Sequence, residues 1–113
     1  GLIYPAKLED NEYMDIINNM RDTIVEQFDL AYAAFEESDI EKAKNVIAFY
    51  SGIKTLHSAT VYKLNKEKNI EINKAITYAS LTIYLRRISA HLKNICTSVV
   101  SPFPEIGFEK KDF

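Results

Sequence analysis

The segment LRRISAHLKNIC, residues 85–96, concentrates the side chains of this sequence most capable of chemistry. It holds Arg86 and Arg87, one of the two histidines, His91, and the single cysteine, Cys96. A histidine close to a thiol raises the question of a metal site, and spacing answers it. Residues five apart on a helix are separated by about 500° of rotation, so His91 and Cys96 point to different faces. A shared zinc requires three- or four-residue spacing, and one cysteine excludes both a cysteine-based zinc site and an internal disulfide. Cys96 is expected as a small packing residue beside Ile95. His91, between Ala90 and Leu92, is expected half-buried and hydrogen-bonded near a helix interface.

Other chemistries find equally little support. A helical di-iron site uses Glu-x-x-His pairs projecting into a bundle core. Lys54 and Ile88 stand three residues before His57 and His91 instead. The acids of LEDNEYMD and beyond, Glu12, Asp15 and Asp22, read as a solvated helix start, where negative charge is favourable. No Ser/His/Asp nucleophile, phosphate-cradling glycine loop or cofactor motif is present. The residues therefore predict no catalytic apparatus, no metal and no cofactor. One sharper alternative concerns His91. Histidine phosphotransfer domains are helical, of this size, and carry an exposed histidine with a lysine nearby. In HLKN the lysine lies two residues on, whereas that family keeps it three on and follows it with glycine. Asn94 and Ile95 occupy those places.

The elements that must position these side chains are helices. With 113 residues, 47% of them hydrophobic and 27% charged, the composition is that of one globular domain. Three glycines and three prolines leave little punctuation for a many-stranded β fold. A first helical pattern runs over about 11–37, with Ile17, Met20, Ile24, Phe28, Ala31 and Phe35 on one face. Ser38 and Glu41 make a capping-box pattern that opens a second helix, about 39–65, striped by Val46, Phe49, Ile53, Leu56 and Thr60. Gly52 interrupts that helix. A third pattern, about 70–100, carries Tyr78, Leu81, Leu85, Ile88, Leu92, Ile95 and Val99 at alternating steps of three and four, a heptad seam. A second stripe, Ile72, Ala75, Ile76, Ala79 and Ile83, lies beside it, as a helix touching two neighbours requires. Pro102 and Pro104 stop the helix, and the tail 101–113 keeps Phe103, Ile106 and Phe108 for packing or partner contact.

The net charge of −2 and pI near 5.7 predict no nucleic-acid partner and no polybasic membrane signal. The longest charge-free run, Ala75 to Leu85, is too short to span a bilayer. A lone thiol and the lack of a signal-peptide pattern fit a reducing cytoplasm. The opening Gly in place of Met leaves room for a larger parent protein.

YLRRISAHLKNICTSVV resembles the closing helix of PhoU-like domains, usually of the form L-x-R-[IV]-[GSA]-D-H-x-x-N-I-A. Arg87, Ile88, His91, Asn94 and Ile95 match it in place. AYAAFEESDIEKAKNVI is similar to the junction of that family's first and second helices. The resemblance covers about Met14 to Val100, one three-helix repeat where full PhoU proteins carry two. It implies a cytoplasmic regulator of phosphate uptake that touches the phosphate transporter or its sensor kinase. It equally implies the PhoU-like domain at the C-terminus of a sodium-dependent phosphate cotransporter. Many members hold iron or zinc clusters with E-x-x-x-D motifs. Here the acidic positions correspond to Arg86 and Ala90, and the second-helix segment AFYSGIKT has no acid, so the metal function is not carried over.

Together these readings predict an elongated, all-α, antiparallel three-helix bundle with shallow left-handed crossings, one domain over 1–113. Arg87, His91 and Asn94 are its family-motif polar positions, with Asn94 and His91 expected to tie helices or the tail by hydrogen bonds. Arg86, Phe103 and Phe108 are the expected partner contacts. The expected function is non-catalytic docking in phosphate transport, as a homodimer, without direct membrane insertion. The alternatives are phosphotransfer through His91 and a generic helical oligomerisation module.

Overall fold

The computed structural model describes residues 11–100. They form α1 (Glu12–Glu37), α2 (Ile40–Lys66) and α3 (Ile72–Val100), an antiparallel three-helix bundle whose longest dimension is 49 Å. Each helix contacts both others, as the expected bundle requires. None of the three is long and apolar enough to cross a membrane. Phe103, Ile106 and Phe108 lie outside the described residues.

The helix ends follow from capping chemistry. Asn11 stands in extended backbone ahead of α1, and its side-chain oxygen accepts from the amides of Tyr13 and Met14, at 2.9 and 3.0 Å. The turn between α1 and α2 is tighter than the expected Ser38–Glu41 capping box. Ser38 terminates α1 in the left-handed region, φ 52°, and Asp39 caps α2 by accepting from the Lys42 amide at 3.2 Å. Ser38 makes the left-handed turn that glycine would make at lower cost, while the Asp39 carboxylate receives an orphan amide. Lys63 and Lys66 complement the carbonyl end of α2.

The core departs from the expected stripes in three places. On α1, Ile17, Met20, Ile24 and Ala31 are buried as expected, but Phe28 and Phe35 are exposed and Gln27 and Ala34 take core positions. On α2, Val46, Ile53 and Thr60 are buried, joined by Tyr50, His57 and Leu64. On α3 the seam is displaced. Tyr78 and Leu92 are buried, yet Ile88 and Ile95 are exposed, and Thr82, Ser89 and Cys96 fill the positions beside them. Ile72 and Ile76 of the expected second stripe are also exposed. The physical reason is size. A helix wedged between two others approaches both closely only through small side chains, and Thr82, Ser89 and Cys96 provide them where isoleucine would hold the helices apart. Gly52 serves no such approach: a methyl group there would meet open space.

Candidate functional site

Helix geometry places Arg87, His91 and Asn94 on a single outward ridge of α3, since steps of three and four return to one face. Arg87 and His91 are exposed and Asn94 is half-buried. The expected half-burial of His91 is not found, because its neighbour Leu92 turns into the core and carries His91 to the outside. Neither His91 nor Asn94 forms a hydrogen bond with another side chain or with a neighbouring helix among the described residues. Cys96 is fully buried, and burial pushes its thiol above the usual range, which fits packing rather than reactivity.

Arg86 points elsewhere. It is half-buried on the flank of α3 that faces α2, near His57. Lys93, on the same flank, stands over the ring of Tyr50, 4.5 Å from its centroid. His57 is buried, with Nδ1 3.1 Å from the hydroxyl of Thr82. Thr82 already donates its proton to the carbonyl of Ala79, at 2.9 Å, so Nδ1 carries the hydrogen and donates to Thr82. Burial first, and the Arg86 charge second, hold the imidazole below its ordinary value of 6.5.

The side chains gathered here, His57 and Arg86, do not fit a cation cluster, because Arg86 brings positive charge and no carboxylate stands with them. Among the described residues no three His, Cys, Asp or Glu side chains converge as a metal site. The net charge conceals this segregation. α1 carries seven acids and one base, α2 one acid and five bases, and α3 four bases and no acid. The ion pairs that join helices follow the same division: Lys63 of α2 donates to Glu12 of α1 at 2.6 Å, and Lys42 to Glu37 at 2.9 Å.

Sequence reasoning missed the polar layer inside the bundle. Gln27 is fully buried and its amide nitrogen donates to the carbonyls of Val46 and Ser89, at 3.1 and 3.3 Å, one on each neighbouring helix. Its amide oxygen and the Ser89 hydroxyl are buried without a partner. The signal was present: Gln27 sits at three- and four-residue steps between Ile24 and Ala31, as His57 does between Ile53 and Thr60. At the end of the bundle near the α2–α3 turn, Tyr13 and Tyr78 stack with ring centroids 5.1 Å apart. Beside them a shallow cleft is lined by Asn11, Glu67, Asn69 and Lys74.

A family model described as PhoU domain matches residues 17–99, from the second turn of α1 to the penultimate residue of α3. A comparison with curated proteins finds no match. The match takes in all three helices and the ridge that carries Arg87, His91 and Asn94, and this chain belongs to the PhoU domain family.

Proposed function

We propose that this chain is a regulatory domain of phosphate transport that acts by docking to a phosphate transporter or its sensor protein, not by turnover. The family match over all three helices carries this reading. The exposed ridge of α3 supports it, because Arg87 and His91 project from a rigid helix and engage no other described residue. In this reading Arg87, His91 and Asn94 meet the partner, Arg86 supports them from the α2 side, and Phe103 and Phe108 extend the contact. The domain works in the cytoplasm at the inner face of the membrane, as a homodimer, with no metal and no nucleic acid. The test is phosphate uptake in cells that carry the chain or a double variant, His91→Ala and Asn94→Ala, paired with co-purification of the transporter. Loss of both regulation and co-purification is the expected result. Normal regulation by a folded double variant would sink the assignment of this ridge.

The exposure of His91 favours a second reading, phosphotransfer with His91 as acceptor. Incubation with a phosphorylated receiver domain separates the two. Acid-labile label that disappears in His91→Ala would favour phosphotransfer, and an unlabelled protein favours docking.

A further inference from the structure

One outer face of the bundle carries exposed apolar residues from two helices. On α1, Val25, Phe28, Tyr32 and Phe35 follow steps of three, four and three, and all are exposed. They lie on the α3 side of α1. The opposite flank carries Glu12 and Glu37, which pair with Lys63 and Lys42 of α2. On α3, Tyr84, Ile88 and Ile95 are exposed on the side away from α2, the reverse of the flank where Lys93 meets Tyr50. Because α1 and α3 run parallel, with Gln27 level with Ser89, the two stripes lie side by side along the second half of α1.

We infer that this α1–α3 face is where two copies of the chain associate, with α1 of each copy lying over α3 of the other. It gives the homodimer of the proposed function a face and an arrangement. Area is the first argument. Phe28, Tyr32, Phe35 and Tyr84 leave 58%, 64%, 63% and 60% of their surface exposed. At 150–250 Å² for each aromatic side chain, the four offer about 500 Å². Val25, Ile88 and Ile95 bring the face to roughly the 800 Å² that a standard interface takes from each partner. A contiguous apolar surface of this size exceeds what a solvated monomer ordinarily exposes.

Charge is the second argument, and it selects the arrangement. The outer edge of the α1 stripe carries Asp22, Glu26, Asp29 and Glu36, while the outer edge of the α3 stripe carries Arg87 and His91 and no acid. A two-fold axis perpendicular to the helices sets α1 on α1 and brings four carboxylates against four. A two-fold axis parallel to the helices sets α1 on α3 and keeps each residue at its own level. Glu26 and Asp29 flank Gln27, and Arg87 lies within a turn of Ser89, so this arrangement places them opposite one another. The contact is isologous and closes as a dimer.

Sedimentation of the purified full chain at concentrations on the order of 10 µM tests the inference, with circular dichroism to verify folding. A dimer is expected. Phe28→Lys and Ile88→Lys, both at exposed positions, should yield folded monomers. Arg87→Glu, and separately the pair Glu26→Lys with Asp29→Lys, should each weaken the dimer about tenfold or more, and the combination should restore it. A protein that is monomeric throughout overturns the inference, whether residues 101–113 or another protein then covers the face. A dimer indifferent to Phe28→Lys and Ile88→Lys overturns it as well, since the contact then lies elsewhere. A combined charge reversal no tighter than its parts overturns the α1-on-α3 arrangement. Phosphate uptake in cells reads the docking function separately. An unsubstituted chain that dimerises yet neither alters phosphate uptake nor co-purifies with the transporter counts against docking and leaves this face intact.

Discussion

Near the α2–α3 turn, aromatic residues lie inside the bundle and polar ones close it from above. Tyr13 and Tyr78 are buried and stacked, and Asn11 donates to the Tyr78 hydroxyl at 2.8 Å while capping α1. About 20 Å further along the axis the arrangement is reversed. There an amide and a hydroxyl lie inside, in Gln27 and Ser89, while Phe28 and Tyr32 face outward; Thr82 and His57 continue the polar interior between the two regions, one turn from Tyr78. The first region has the economy of a protein core: large apolar area removed from water and its polar atoms satisfied. The second spends interior positions on small and polar groups and puts its aromatics on the surface. The contrast assigns stability to one end of the molecule, and the proposed dimer contact would put recognition in the middle. It can be broken by experiment.

The largest effect is expected at Tyr78. Tyr78→Ala removes a fully buried ring from the aromatic cluster and strands the Asn11 amide, and should cost about 3–5 kcal/mol in chemical denaturation. A loss below about 1 kcal/mol would mean that this end collapses readily around the cavity and is not the stable region.

Asn11→Ala is next, at about 1–2 kcal/mol, because it orphans the amides of Tyr13 and Met14 and removes the bond to Tyr78. Asn11→Ser separates the two contributions, since serine keeps a cap but cannot reach across to α3. A serine variant as stable as the wild type would show that the cap alone matters. A serine variant as weak as alanine would show that the link between α1 and α3 does.

A smaller effect belongs to the polar interior between the two regions and depends on pH. The folded-state value of His57 is depressed by burial and by Arg86, so the unfolded chain binds the proton more readily. Stability is therefore full above the ordinary value near 6.5 and falls as pH drops from there toward the lower folded value. Denaturation midpoints followed from about pH 8 to pH 5 should decline on the acid side, and His57→Gln should flatten that decline. A midpoint that rises on acidification would reverse the assignment.

Much of this fold was legible in the sequence. Three long apolar periodicities gave the helices to within a residue or two at most ends. Cys96 was correctly placed as packing, and YLRRISAHLKNICTSVV pointed to the family. The registers on α1 and α3 were harder. A stripe of Phe28 and Phe35, or of Ile88 and Ile95, is equally regular whether it faces the core or solvent, and periodicity alone cannot say which of two adjacent rows is inside. Ser89 and Thr82 won the inner row because α3 must approach two helices at once, a constraint absent from any one segment. His91 was misplaced by the same shift, since its burial follows the row of Leu92 and Cys96. The segregation of acids onto α1 was legible by counting within helices, and the chain-wide net charge hid it.

The smallest expected effect is at Gln27, and it bears most directly on the contrast. The amide nitrogen of Gln27 donates to two helix carbonyls that already receive amides from their own helices four residues on. Its amide oxygen, buried without a partner, is a desolvation cost. Replacing Gln27 by Met keeps the volume and the flexible shape, deletes the unsatisfied oxygen and leaves the carbonyls of Val46 and Ser89 with their intrahelical bonds. The change in stability should lie within about 1.5 kcal/mol of zero, and stabilisation is the favoured sign. Specificity is where the effect should appear. The glutamine fixes the level of α1 against both neighbours, so the Met variant should show broader amide resonances or faster hydrogen exchange around Val46 and Ser89 at nearly unchanged stability. A loss comparable to that of Tyr78→Ala would show that the polar layer is itself a source of stability, and the division between the two regions would fail.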